Sequence, residues 1–497
     1  MNYKSTRNQN GAGVSAAEAI KTGLAPDGGL FMPETIPSLS KEDITRLAKM
    51  DYPSRAAEIL GLFLTDYTPD ELLHDCRAAY SAEKFRGGIA PVVPLKNDIS
   101  LLELFHGPTA AFKDMALQIM PRLLSRALVK TNETRDALIL VATSGDTGKA
   151  ALEGYKDVPH VRIKVFYPVS GVSRVQKLQM MTQEGENVDV AAIDGNFDDA
   201  QNGVKRIFSD AAVAERLNKH GVFLSSANSI NWGRLVPQIV YYVSAYCDMV
   251  NSGAIALGEQ VDIAVPTGNF GNIFAAFLAK KMGLPIGKFI CASNENNVLT
   301  DFLKTGTYDR NRPFHATISP SMDILISSNL ERLLYLVAGP EKTAAYMKSL
   351  AKNGCYTLSA EEFSVISSDF CGYFATEDQI RATIREVYER ENYLMDTHTA
   401  VGYYAAECYK KESGSERKIL VASTASPYKF AADVYAALGK EKPSDALLAP
   451  SVLSSYTGVP IHYALADLAS RKVRFSDVIS VQEMTDSVIR FAENPKK

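Results

Sequence analysis

Apolar positions recur with helical spacing in "KEDITRLAKM" (residues 41–50) and "PSRAAEILGLFL" (53–64), and turn-forming residues crowd "APDGGLFMPETIP" (Ala25–Pro37). This pattern predicts a mainly helical region over residues 1–95 after a short irregular start. Further along, the period changes. An apolar, β-branched run leads into a loop of small polar residues and then an amphipathic helix in "DALILVATSGDTGKAALEGY" (136–155), "VDIAVPTGNFGNIFAAFLAKKMG" (261–283) and "KILVASTASPYKFAADVYAALG" (418–439). Strands followed directly by helices are βα units and imply an α/β fold with parallel sheets. In such open sheets the loops beyond the carboxyl ends of the strands converge on one crevice, where ligands collect.

A fourth stretch of this kind, "ELFHGPTAAFKDMALQ" (Glu103–Gln118), reads as a strand end, a Gly-Pro turn and a helix start. Lys113 stands in the first turn of that helix, where the amide dipoles favour acids over bases. Its neighbours Ala110, Ala111, Phe112, Met115, Ala116 and Leu117 are apolar, and Asp114 is the one adjacent carboxylate. The residues alone allow two readings: a snorkelling surface lysine, or an amine kept partly neutral for chemistry.

Three loops supply further candidates. "PTGNFGN" (Pro266–Asn272) sets two glycines across a strand-to-helix turn, which suits either a phosphate cradle or a purely structural turn. It matches neither a GxxxxGK[ST] nor a GxGxxG pattern, so a nucleotide reading is weakened. "TSGDTGKA" places Thr143, Ser144, Gly145 and Thr147 where hydroxyls and amides can meet a carboxylate, or where Asp146 or Thr147 can cap a helix. "SSANSINWGRL" gathers Asn228, Ser229 and Arg234 beside the single tryptophan, Trp232. Arg234 there is either an anion fork or surface polarity around a buried ring.

Composition narrows the function classes. With 497 residues, 46% hydrophobic and 22% charged, the chain should form two or three soluble domains. A net charge of −4 leaves no electrostatic footprint for nucleic acid or an anionic membrane, so neither is expected as a partner. The start lacks a secretory pattern and no apolar run reaches about 18 residues, which leads to an expected cytoplasmic location. Six cysteines without a CxxC and seven histidines without HxxxH spacing give no support to a disulfide framework or a metal site. A lysine in an apolar niche together with a phosphate loop fits pyridoxal 5'-phosphate, which needs both an amine and an anion cradle.

In order along the chain, "YKSTRN", "GLAPDGGLFMP", "HGPTAAFKDMALQ", "SGDTG", "NSINWGR", "TGNFGN", "SPSMDILISSNLER", "DTHTAVG" and "STASPYKF" resemble the threonine synthase family. The similarity is to its longer subgroup, found in fungi and many bacteria, within the fold-type II pyridoxal-phosphate enzymes. The resemblance implies two open, helix-flanked parallel-sheet domains beside the helical N-terminal region. It assigns residues 96–136 and 232–497 to a large cofactor-binding domain and residues 137–231 to a small, mobile substrate-binding domain.

By the same resemblance Lys113 would carry the cofactor and move protons. Gly268, Asn269, Phe270, Gly271 and Asn272 would hold its phosphate, Thr424 would meet its ring nitrogen, and Asp146 would stand at the ring edge. Thr143, Ser144, Gly145 and Thr147 would meet the substrate carboxylate, and Asn228, Ser229 and Arg234 the substrate phosphate. The implied reaction converts O-phospho-L-homoserine and water to L-threonine and phosphate. A phospholyase releasing 2-oxobutyrate, ammonia and phosphate would use the same residues, and a non-catalytic pyridoxal-phosphate-binding regulator is the reading from another class. The oligomeric state stays open between monomer and dimer. Two departures from the family pattern stand out: Ser426 occupies a position that commonly holds histidine, and Asp146 one where many fold-type II relatives have asparagine.

Overall fold

The computed structural model describes residues 1–8, 11–143, 145–170 and 172–493. Two open sheets organise them. The larger has six strands in the spatial order Phe370–Phe374, Ile286–Ser293, Val261–Pro266, Ile419–Ser423, Ile99–Glu103 and Val92–Pro94. All neighbours run parallel except the last pair, Val92–Pro94 with Ile99–Glu103. The smaller has five parallel strands in the order Val478–Ser480, Val188–Asp194, Val161–Pro168, Asp136–Ala142 and Val222–Ser225.

The central strands of the large sheet, Val261–Pro266 and Ile419–Ser423, are buried at every position. Apart from Asp262 and Ser423 their sequences are apolar, because helices cover both faces of a parallel sheet. The helix Gly271–Lys281 is buried from Gly271 to Ala279 and so is apolar almost all round. The two sheets meet where helix Lys113–Leu117 packs on helix Asp146–Tyr155. Gly154 makes that approach feasible, since a Cβ there would lie 1.9 Å from the Leu117 carbonyl oxygen.

The N-terminal region contributes helices Ala16–Thr22, Lys41–Ala48, Tyr52–Phe63 and Pro69–Ala79. Ser40 and Thr68 each close a capping box, and Asp51 caps the helix between them. The start is more ordered than its sequence suggests: Tyr3–Ser5 pairs antiparallel with Phe31–Pro33. The buried Glu331 carboxylate then fixes this ribbon, accepting hydrogen bonds from Thr6 Oγ1 (2.5 Å) and from Arg7 Nε and Nη2 (2.8 and 2.7 Å).

Two expected boundaries need correction. Residues 92–94 join the large sheet instead of the helical region. The segment 232–497 also does not stay with that sheet to its end. Val478–Ser480 forms the edge of the five-stranded sheet, and Met484, Val488 and Ala492 of helix Met484–Glu493 pack with Leu138, Leu140, Ala200 and Val204. An uncovered sheet face has to bury its apolar side chains, and the C-terminal helix supplies part of the cover.

Candidate active site

The carboxyl ends of Ile99–Glu103, Val261–Pro266 and Ile419–Ser423, with that of Asp136–Ala142 from the second sheet, lead into the four loops singled out in the sequence. The lysine loop is fastened to the loop after Ile419–Ser423. Leu104 N donates to Ser423 O (2.9 Å), Phe112 N to Thr424 O (2.8 Å) and Ser426 N to Ala110 O (3.0 Å). Ala110 takes a left-handed conformation (φ 58°), as does Phe270 in the glycine loop (φ 62°). Side chains with a Cβ rarely adopt that region, and such strain concentrates at functional loops.

Lys113 opens helix Lys113–Leu117, and its side chain is 10% exposed. Burial pulls its amine down to about 8, despite the opposing charge of Asp146, and the nearby cations Arg234 and Lys429 pull in the same direction as burial. The neighbouring Asp114 turns inward. Its carboxylate accepts from the Thr109 amide (2.8 Å) and hydroxyl (2.7 Å), and burial raises it to about 6. Asp114 therefore shapes the loop, while the Lys113 amine is left beside Asp146.

Asp146 is the first residue of helix Asp146–Tyr155, and four groups surround its buried carboxylate. Lys429 Nζ lies 2.8 Å from Oδ1 and Gln176 Nε2 donates to the same oxygen at 2.8 Å. Ser321 Oγ donates to Oδ2 at 3.3 Å, and Lys113 Nζ is 4.0 Å from Oδ2. Burial alone would push this carboxyl up, but Lys429 and Lys113 together outweigh it and hold Asp146 well below the ordinary carboxylate range. Gly145 precedes it at φ 149°, where a Cβ would also run into the Gln176 side chain. Thr143 Oγ1 accepts from the amides of Gly145 and Gly148, both at 3.0 Å, so its oxygen supports the loop and its O–H remains a donor. Thr147 is half-buried on the same turn, and Ser144 lies outside the described residues.

The glycine loop packs onto residues 319–332. Ser327 Oγ donates to Gly268 O (2.6 Å), and a Cβ on Gly268 would stand 3.0 Å from Ser321 O. A Cβ on Gly271 would stand 3.3 Å from Asn329 Nδ2. Asn269 is exposed, whereas Phe270 is buried. Asn272 Oδ1 accepts from Tyr241 and Tyr242, while its buried Nδ2 has no hydrogen-bond partner among the described residues. The first amides of helix Gly271–Lys281 have no preceding turn to bond, which leaves a concentration of donors at this spot.

Arg234 sits on helix Trp232–Leu235, which packs against both helix Lys113–Leu117 and helix Gly271–Lys281. It is 6% exposed, donates to Ala227 O (2.8 Å), and pairs with no carboxylate among the described residues. Burial pulls its guanidinium down to about 10. Asn228 is exposed and Ser229 half-buried on the loop just before it. Thr424 is buried opposite the lysine loop.

The structure thus gathers Lys113, Asp146, Thr424, the glycine loop and Arg234, and adds groups that sequence reasoning passed over. These are Lys429, Gln176, Ser321 and Asn329. Three of them lie inside quoted motifs, Lys429 in "STASPYKF" and Ser321 and Asn329 in "SPSMDILISSNLER". Among the described residues no cluster of His, Cys, Asp and Glu could hold a metal ion, and no helix is long and apolar enough to cross a membrane.

A family model described as threonine synthase N terminus matches residues 2–80, one for pyridoxal-phosphate dependent enzymes matches 88–425, and one for the threonine synthase C-terminal region matches 399–489. Threonine synthase of Saccharomyces cerevisiae is 38% identical over 88% of this chain and 89% of its own length. The chain belongs to the threonine synthase family of pyridoxal-phosphate dependent enzymes. Human threonine synthase-like 1 is 39% identical over 94% of this chain, which spans 64% of that protein's length, just under two thirds. The crystal structure of pyridoxal-phosphate-bound threonine synthase from Brucella melitensis superposes with a TM-score of 0.87 at 36% identity, covering 100% of both chains. That match extends over both sheets and the helical N-terminal region.

The residues of this threonine synthase family member fit pyridoxal phosphate. A buried amine with a depressed pKa suits an aldehyde, and the two crowded glycines and the free donors at the start of helix Gly271–Lys281 suit a phosphate.

Proposed function

We propose that this chain acts as a threonine synthase, converting O-phospho-L-homoserine and water to L-threonine and phosphate. The observation that carries the reading is the pair of anion sites around one amine. The donor-rich start of helix Gly271–Lys281 and the guanidinium of Arg234, which pairs with no carboxylate among the described residues, lie on elements packed together beside Lys113. A cofactor phosphate and a substrate phosphate require two such sites in one crevice. The family relatives support the same reading.

Pyridoxal phosphate, when bound, supplies an aldehyde for the substrate amine and a conjugated ring that accepts electrons. The chain's own residues do the rest. Lys113 holds the cofactor and, once released, removes and returns protons with an amine that loses its charge near pH 8. Amides of Gly268–Asn272 and the helix dipole bind the cofactor phosphate. The Thr424 hydroxyl would give the ring nitrogen a neutral neighbour, and Asp146 would stand at the ring edge. Arg234, with Asn228 and Ser229, orients the substrate phosphate for departure. Thr143, Gly145 and Thr147 face the substrate carboxylate from the helix Asp146–Tyr155 end. The smaller sheet closes over the substrate and excludes stray water.

Incubation of the cofactor-loaded full-length chain with phosphohomoserine tests this. Equal amounts of phosphate and threonine are expected. Phosphate accompanied by 2-oxobutyrate and ammonia would assign a phospholyase instead, and absence of phosphate release would remove the substrate assignment.

A further inference from the structure

The site contains a second enclosed amine. Lys429 opens no helix, yet its side chain is completely buried, with Nζ 2.8 Å from Asp146 Oδ1 and donating to Thr109 O at 3.0 Å. Burying an ammonium is unfavourable unless a partner balances it, and that partner is the carboxylate nearest Lys113. Asp146 divides its oxygens unequally: Oδ1 serves Lys429 and Gln176, while Oδ2 has Ser321 and, at 4.0 Å, Lys113.

We propose that Lys429 is a positioning residue, which keeps Asp146 engaged on its far side so that the Lys113 amine stays out of a tight ion pair and reacts as the neutral base. The inference rests on reading Lys113 as the reactive amine. A carboxylate in direct contact with Lys113 would stabilise the ammonium by about 1–3 pKa units and suppress the reactive form. Lys429 occupies that contact instead. It also accounts for an aspartate at position 146. When Lys113 gives up its charge, Lys429 is the cation that remains against the buried carboxylate.

The charged groups facing Lys113 are Asp146, Arg234, Lys429 and Asp114. Removing Lys429 deletes one repelling cation and leaves Lys113 as the nearest ammonium to Asp146. Both changes strengthen proton binding at Lys113. The amine can be read directly by trace acetylation with acetic anhydride between about pH 6 and 11, using the full-length chain freed of cofactor and quantifying the Lys113 peptide by mass spectrometry.

The wild-type midpoint is expected near 8, in line with the burial of Lys113. Lys429→Gln should raise it by about one unit or more, and Lys429→Arg, which keeps the cation, should stay near the wild-type value. An unchanged midpoint in folded Lys429→Gln protein overturns the proposal, whatever its melting temperature. Should that variant not fold, the comparison moves to Asp146→Asn with and without Lys429→Met. With no carboxylate at position 146 for Lys429 to hold, the proposal requires closely matching midpoints, and a midpoint raised by about one unit or more in the double variant, which only direct repulsion by Lys429 would cause, overturns it. Because labelling reads the amine and not turnover, it stays informative even if the product assay rejects the proposed reaction.

Discussion

The main-chain carbonyl of Asn269 accepts two hydrogen bonds from Asn329, one from its amide and one from Nδ2, both at 3.0 Å. Asn329 is itself held by Arg332, a fully buried arginine whose guanidinium also donates to Phe31 O (3.2 and 3.1 Å) and Ile230 O (2.6 Å). Asn329 and Arg332 together therefore join the glycine loop to the N-terminal ribbon and to the loop that precedes Arg234.

Asn329→Ala should loosen the glycine loop without touching Lys113. Loss of the side-chain bond, with a buried guanidinium left short of a partner, amounts to about 1–3 kcal/mol. Pyridoxal-phosphate affinity, followed by absorbance titration, is expected to fall roughly tenfold and activity to return in excess cofactor. Unchanged affinity would mean that the loop holds its shape unaided.

Arg234→Leu should leave the visible absorption of the lysine-bound cofactor intact and reduce kcat/KM on phosphohomoserine. A charge-assisted contact contributes about 1.5–3 kcal/mol, so the loss should be at least about tenfold. Inhibition by inorganic phosphate should weaken in parallel. Full inhibition with a lowered melting temperature would instead make Arg234 a structural residue.

His462 gives a pH signature. Burial pushes its imidazole down to about 4, and His106 and Lys429 add to the effect. An unfolded histidine binds its proton near pH 6.5, so between about 6.5 and 4 the unfolded state holds more protons and stability falls as pH drops. His462→Asn keeps a side-chain acceptor for the Ala464 amide while removing the titration. Its melting temperature should gain on the wild type progressively across that window. Parallel curves would show that His462 does not set the acid limit.

Met484→Ala tests the C-terminal return to the smaller sheet. Met484 is 1% exposed and lies over Gly203, where a Cβ would come within 2.3 Å of its sulfur. A buried Met→Ala change costs about 2–5 kcal/mol. Denaturant unfolding should register that loss. A change below about 0.5 kcal/mol, the range of ordinary surface substitutions, would contradict the packing.

The alternation of apolar strand run, polar loop and helix placed Lys113, the glycine loop and Thr424 at the carboxyl ends of strands, whereas the roles expected of Lys113 and Thr424 came from the resemblance to the family and not from that pattern. Lys429 was not legible, since nothing local distinguishes a buried lysine from a solvated one. The ribbon of Tyr3–Ser5 and Phe31–Pro33 escaped because three-residue strands are too short to show a period. The strand Val478–Ser480 escaped for another reason: it pairs with residues 192–194, nearly the length of two domains away in the chain. Neither Asp146 nor Thr147 caps helix Asp146–Tyr155: the N-cap is Gly145 without a side-chain bond, and Thr143 Oγ1 supports the turn instead by accepting from the Gly145 and Gly148 amides.

Borohydride reduction of the cofactor-loaded chain, followed by peptide mapping, tests the central claim most directly. Two buried amines flank Asp146, and the account assigns the cofactor to only one of them. The reduced pyridoxyl-phosphate tag is expected on Lys113 alone, and Lys113→Ala should abolish it together with turnover. A tag on Lys429, or normal turnover in Lys113→Ala, would contradict the account.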